Sequence, residues 1–130
     1  MSARFDLAVL GAGPAGAAAA LGAARAGLSV ALFDPQTGAL DKPCGEGIMP
    51  AGVAALQELG LDALVRSAAP LARLRYVLAG GRELPVEFPR PGCALERREL
   101  TAALDQALAR EPRVTRLACR VRTERHAHGF

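Results

Sequence analysis

The hydrophobic pattern changes texture three times in the first third of the chain. Residues 7–10, Leu-Ala-Val-Leu, are an unbroken apolar run of strand length. Residues 14–27 are dominated by alanine around Leu21 and read as a helix, which Gly27 closes in the left-handed conformation that side chains disfavour. Residues 29–33, Ser-Val-Ala-Leu-Phe, form a second apolar run that ends at Asp34. Strand, helix and strand in this order predict a βαβ unit and an α/β fold. The turn between the first strand and the helix holds Gly11, Gly13 and Gly16.

Beyond Asp34 the pattern is less regular. Residues 35–50 predict a long loop, with Gly45 and Gly47 flanking Glu46. Such loops in compact domains are often functional. A helix is expected from Pro50 to Leu59, with Val53, Leu56 and Leu59 on one face and Gly60 as its stop. Asp62 is placed to cap a shorter helix through Arg66. Residues 71–78 and 83–88 are strand-like and flank Ala-Gly-Gly-Arg, a hairpin signal, although Pro85 demotes its strand to an edge. Pro89, Pro91 and Gly92 predict a second loop. Leu100, Leu104 and Leu108 mark a helix over 94–110, which Pro112 stops. Val114 starts a short strand, and the alternation from Leu117 to Arg122 predicts a half-exposed one.

Composition narrows the class. The 130 residues suit one domain, with 51% hydrophobic and 22% charged positions, so the chain is globular. Aromatics are only 4% and tryptophan is absent, so the core must be built from Ala, Leu and Val. The net charge of +3 is mild, and no basic stripe with interleaved aromatics supports nucleic-acid binding. Cys44, Cys93 and Cys119 form no C-x-x-C pair, which argues against a disulfide scaffold and for a reducing cytoplasm. No metal-ligand spacing is present; His126 and His128 are read as a polar hairpin tip. Residues 7–24 carry no charge, but Gly11, Gly13 and Pro14 make a membrane span improbable, and Asp6 spoils a signal-peptide start. No cleaved signal is expected.

The chemistry concentrates in the glycine turn. Gly11, Gly13 and Gly16 fit G-x-G-x-x-G between a strand and a helix, with an acid about 20 residues on, a dinucleotide-binding fingerprint in its full context. Gly11 permits a sharp turn where a side chain would clash. Gly13 permits close approach of a pyrophosphate, and Gly16 permits tight helix packing. Pro14 suits the first helical position, where its missing N–H costs nothing. The helix start, with Ala15, then turns free N–H groups and partial positive charge toward phosphate. Asp34 can accept hydrogen bonds from a ribose. At the start of the later helix, Arg97 and Arg98 oppose the helix dipole. An anionic ligand or a carboxylate partner would account for them, and so would simple solvation.

Taken together, Gly11-Ala12-Gly13-Pro14-Ala15-Gly16 with Asp34, Lys42-Pro43-Cys44-Gly45-Glu46-Gly47-Ile48-Met49-Pro50, and Arg97-Arg98-Glu99-Leu100 leading into Leu104 resemble the N-terminal part of a known family. It is that of the FAD-dependent oxidoreductases related to geranylgeranyl reductase and to the aromatic-ring hydroxylases, the FAD-binding monooxygenases. The resemblance spans essentially the whole chain. It implies a Rossmann-like FAD-binding βαβ domain, incomplete, with a β-hairpin from the substrate-domain side. It places the FAD pyrophosphate at Gly11, Gly13 and Gly16 and the adenosine ribose at Asp34, where most members have Glu. It makes Cys44, Gly45, Glu46 and Gly47 cofactor-lining, and assigns the cofactor-contacting arginine to Arg97. The family's later Gly-Asp motif and substrate domain are missing, which suggests a C-terminal truncation of the single domain 1–130, or a partner chain that completes the FAD site.

The expected function is the FAD-binding part of a flavoprotein oxidoreductase, with NAD(P)H as an electron donor and a small-molecule or lipid-like substrate. Peripheral membrane contact is permitted by that substrate class. No catalytic acid or base is assigned. Two alternatives stand beside this reading: an NAD-binding Rossmann enzyme, and a non-catalytic remnant or interaction module.

Overall fold

The computed structural model describes residues 4–36 and 42–122. In chain order the elements are β1 (Leu7–Leu10), α1 (Pro14–Arg25), β2 (Val30–Phe33), β3 (Gly47–Ile48), α2 (Pro50–Glu58), α3 (Asp62–Ser67), β4 (Ala69–Val77), β5 (Glu83–Ala94), α4 (Arg97–Arg110) and β6 (Val114–Leu117). They fall into two compact units, Met1–Ala39 with Leu104–Phe130, and Leu40–Ala103.

The first unit is built on a parallel sheet of order β1-β2-β6. Leu7 lies opposite Val30 and Leu10 opposite Phe33; on the other side Val30 lies opposite Val114 and Phe33 opposite Leu117. The central strand is therefore covered on both edges, and Val30, Ala31 and Leu32 are all buried. A continuous apolar run is what a parallel strand in that position requires. Helix α1 buries Ala17, Ala20, Leu21 and Ala24, a stripe at helical spacing. Gly27 follows it at φ +93°, and the Arg113 guanidinium donates to the Gly27 carbonyl at 2.9 Å. A cation there suits the negative end of the helix.

At the start of β1 and β2, the Asp6 carboxylate accepts from the Ser29 N–H at 2.8 Å and the Ser29 hydroxyl at 2.7 Å. These bonds, the side-chain one foremost, hold the Asp6 carboxyl below its usual range.

The half-exposed strand expected over 117–122 is corrected: β6 ends at Leu117. Its only strand partner among the described residues is β2, which itself stops at Phe33, so no ladder continues past that point. His126 and His128 lie outside the described residues.

The second unit holds an antiparallel sheet of order β3-β5-β4. Between Leu78 and Arg82 the hairpin turns through Gly80 at φ +88° and Gly81 at φ +79°, in the left-handed region that favours glycine. Leu78 N–H donates to the Arg82 carbonyl at 2.8 Å. Three expectations change here. First, β5 runs on to Ala94 through Pro89 and Pro91, where the sequence predicts a loop. Leu71 pairs with Gly92 and Arg73 with Glu87, so residues 88–91 bulge out of register. A bulge leaves N–H groups unpaired, so proline is tolerated there. Second, Gly47 and Ile48 form a short strand within the expected 35–50 loop, pairing with Ala94 and Cys93. Third, that pairing holds residue 94 extended, so α4 starts at Arg97 rather than at 94. Asp62 begins α3 as its first residue; Leu61 occupies the cap position, with no side-chain cap bond.

Two tests follow from this packing. Leu32, fully buried between two strands, should cost about 2–5 kcal/mol when cut to Ala, while Leu84→Ala on the exposed hairpin should stay within about 0.5 kcal/mol, by urea denaturation. Because the Asp6 carboxyl is lowered on folding, its contribution is complete above the unfolded value near 3.8 and is lost as pH falls through the folded value. Melting temperatures taken from pH 5 to pH 2 should therefore fall less steeply in Asp6→Asn than in the unaltered chain.

Candidate functional site

The glycine turn is shaped by backbone rather than by ligand-facing side chains. Gly11 leaves β1 at φ +95°, the left-handed region, and its N–H donates to the Phe33 carbonyl at 2.7 Å. A Cβ at Gly11 would meet nothing within 4 Å, so the clash expected there is corrected: torsion, not crowding, selects glycine. Gly16 is the crowded position. A Cβ there would come within 1.8 Å of the Gly11 carbonyl oxygen. The first turn of α1 thus lies directly against the strand exit. Gly13 caps α1 at φ −64°, ψ 175°, torsions open to any residue, and a Cβ there would meet open space. Pro14 takes the first helical position and donates nothing. Ala15 follows it and is exposed.

Asp34 ends β2 and is nine-tenths buried. Its Oδ2 accepts from the Ala12 N–H at 2.6 Å, and its Oδ1 accepts from the Gln36 N–H at 2.8 Å. The acid therefore fastens the glycine turn to the end of β2. Gln36 is held from the other side, since Arg116 donates to its carbonyl at 3.3 Å and to Asp105 at 2.9 Å. Arg116 and Asp105 were not singled out from sequence. Their residue types were visible, but their partnership across 11 positions depends on α4 running back beside β6.

In the second unit the structure gathers Cys44, Gly45, Glu46 and Gly47 with Arg97. Leu95 N–H donates to the Glu46 carbonyl at 2.8 Å. Arg97 N–H donates to Glu46 Oε1 at 3.4 Å, a long bond, at the first residue of α4. Glu46 N–H faces the Cys44 sulfur at 3.5 Å. The Glu46 carboxylate engages the Arg97 main chain rather than its guanidinium, so it does not account for arginine at this helix start. The Nε of Arg97 is buried and has no hydrogen-bond partner among the described residues. Cys44 and Cys119 are exposed; Cys93 is buried, and burial pushes its thiol up. Among the described residues no group of three metal-ligating side chains occurs.

A parallel sheet, a glycine turn against a helix start and an acid closing the second strand give this chain a Rossmann-like α/β fold. The chain belongs to the family described as Glucose inhibited division protein A, whose model matches residues 6–115. It is 45% identical over 100 residues to a menaquinone reductase of Mycobacterium tuberculosis, covering 73% of this chain and 24% of that protein. It is 36% identical over 96 residues to the digeranylgeranylglycerophospholipid reductase 2 of Methanopyrus kandleri, covering 72% and 23%. The p-nitrophenol 4-monooxygenase of Pseudomonas putida shares the fold at a TM-score of 0.73 and 22% identity, over 90% of this chain and 32% of that one. The chain thus spans about a quarter of the length of the curated relatives it matches.

The role of Asp34 as a fastener is open to test. In Asp34→Asn the new amide can accept one backbone N–H but turns a donor toward the other, at a cost of about 1–3 kcal/mol. Thermal unfolding should show that loss with no ligand present.

Proposed function

We propose that this chain supplies the nucleotide-binding part of a flavoprotein oxidoreductase that acts on a small, lipid-like organic substrate. FAD, once bound, carries the redox chemistry: hydride transfer to an alkene or quinone-like acceptor, or activation of oxygen. The protein's own task is to grip and orient it. The turn of Gly11, Gly13, Pro14, Ala15 and Gly16 would receive the pyrophosphate, with backbone N–H groups such as those of Ala15 and Gly16 donating at the α1 terminus while Gly11, Gly13 and Pro14 shape the approach. Asp34, the acid that ends the second strand, would accept from the adenosine ribose. Cys44, Gly45, Gly47 and Arg97 are proposed as cofactor-lining on family resemblance, with Glu46 in the same loop bonded to the Arg97 main chain. The buried Nε of Arg97 has a donor to offer an acceptor atom of such a ligand.

The observation that carries the reading is Gly13. Neither its torsions nor its surroundings call for glycine, so a requirement for it must come from something that approaches from outside. The relatives' names support a lipid-like substrate, since two of them are reductases of an isoprenoid quinone and of an isoprenoid phospholipid. Among the described residues no helix is long and apolar enough to cross a membrane. Contact with such substrates would then be peripheral. Three unpaired cysteines favour a cytoplasmic location.

The test is an FAD titration followed by flavin fluorescence. Saturable binding is expected in the unaltered chain. Gly13→Val should keep its melting temperature and lose at least about tenfold in affinity, roughly 1.4 kcal/mol. Equal affinities would remove the pyrophosphate from this turn. Preference for NAD over FAD would favour a nicotinamide-dependent enzyme instead.

A further inference from the structure

Glu46 is the sole non-glycine residue at positive φ among the described residues, at +54°. It stands between two glycines, either of which could have taken that conformation more cheaply. Glycine at 46 would satisfy the backbone, and the carbonyl bond from Leu95 needs no side chain. What a glycine could not provide is the carboxylate that reaches 51 positions along the chain to the Arg97 N–H.

That N–H is the first of α4 and has no partner within its own helix. Helix starts favour an anionic oxygen, and here two arginines crowd the same turn. The acid therefore ends up against protein backbone, while the Cys44 sulfur lies against its N–H.

We propose that Glu46 is a positioning residue: it latches the Cys44–Gly47 loop to the start of α4, so that the loop and Arg97 hold one arrangement. This rests on the proposed FAD role for its consequence in binding, but the latch itself is a property of the chain. It differs from a lining role, in which the carboxylate would face the cofactor directly.

Two variants separate these roles, both made in a Cys119→Ser background so that Cys44 is the exposed thiol. Glu46→Gly keeps the backbone conformation and removes the latch. Glu46→Gln keeps the length and one oxygen acceptor. The rate of Cys44 modification by an aromatic disulfide reagent reads the loop, and FAD titration reads the cofactor. Glu46→Gly should speed modification about fivefold or more, as a loop released from a local restraint does, with no fall in melting temperature. It should also weaken FAD by about tenfold. Glu46→Gln should stay within about threefold of the parent on both measures, because a neutral oxygen still accepts the bond.

Unchanged thiol rates in Glu46→Gly would overturn the latch. So would a Gln variant as impaired in FAD binding as the Gly variant, since that pattern marks a carboxylate facing the ligand. If the parent chain binds no FAD, the functional reading fails, and the thiol rates still decide the latch.

Discussion

The first unit depends on one close approach. The Gly11 carbonyl oxygen occupies the place where residue 16 would put a Cβ, so the helix can start against the strand exit only with a bare backbone at position 16. Everything nearby follows from that distance. The buried stripe of α1 must be shallow, and it is mostly alanine. Small residues give little apolar area each, so β2 supplies the bulk of the core through Val30 and Leu32, at about 1.5–3 kcal/mol per side chain. The approach of Gly16 to Gly11 holds the helix terminus at the end of β1. In open α/β sheets that is where ligands bind.

Two carboxylates share a pattern. Asp34 and Glu46 each accept from backbone N–H groups of a segment distant in sequence, Ala12 in one case and Arg97 in the other. Both bonds hold a loop to the start of a helix. Aspartate at position 34 has a reach suited to this: its two oxygens fall on Ala12 and Gln36 at 2.6 and 2.8 Å. A longer glutamate would have to fold back to keep the same partners. The shorter acid is thus consistent with a site whose turn is fixed before any ligand arrives, which reduces the ordering cost of binding.

Much of the fold was legible in the chain. The βαβ unit announced itself because its signals are local: an apolar run, a glycine turn, proline at the first helical position and a glycine stop. The hairpin was legible at its turn, where Gly80 and Gly81 carry positive φ, but not at its far end. There Pro89 and Pro91 signal a loop to any local reading, and only the pairing of Leu71 with Gly92 shows that the strand resumes beyond a bulge. The start of α4 was placed three residues early for the same reason. Residues 94 and 95 have helical company in sequence, yet the Gly47 strand and the Glu46 carbonyl claim them for the sheet. The site divides in the same way. Glycine positions follow from local torsion and spacing, whereas the partners of Asp34, Glu46 and Arg116 depend on which segments fold beside them.

The two glycines of the turn that look alike in sequence thus answer to different constraints. Gly16 is fixed by the fold: its replacement would push helix from strand whether or not a ligand exists. Gly13 is not fixed by the fold, since its torsions and its empty surroundings would accept a side chain. A motif read as a unit therefore separates into a part that folding requires and a part that folding leaves open. Gly11 belongs with Gly16, through its positive φ rather than through crowding. The division explains why a spacing pattern alone is weak evidence for a nucleotide site. Two of its three glycines would be needed by a helix that leaves its strand in this way, and the fold places no demand on the third.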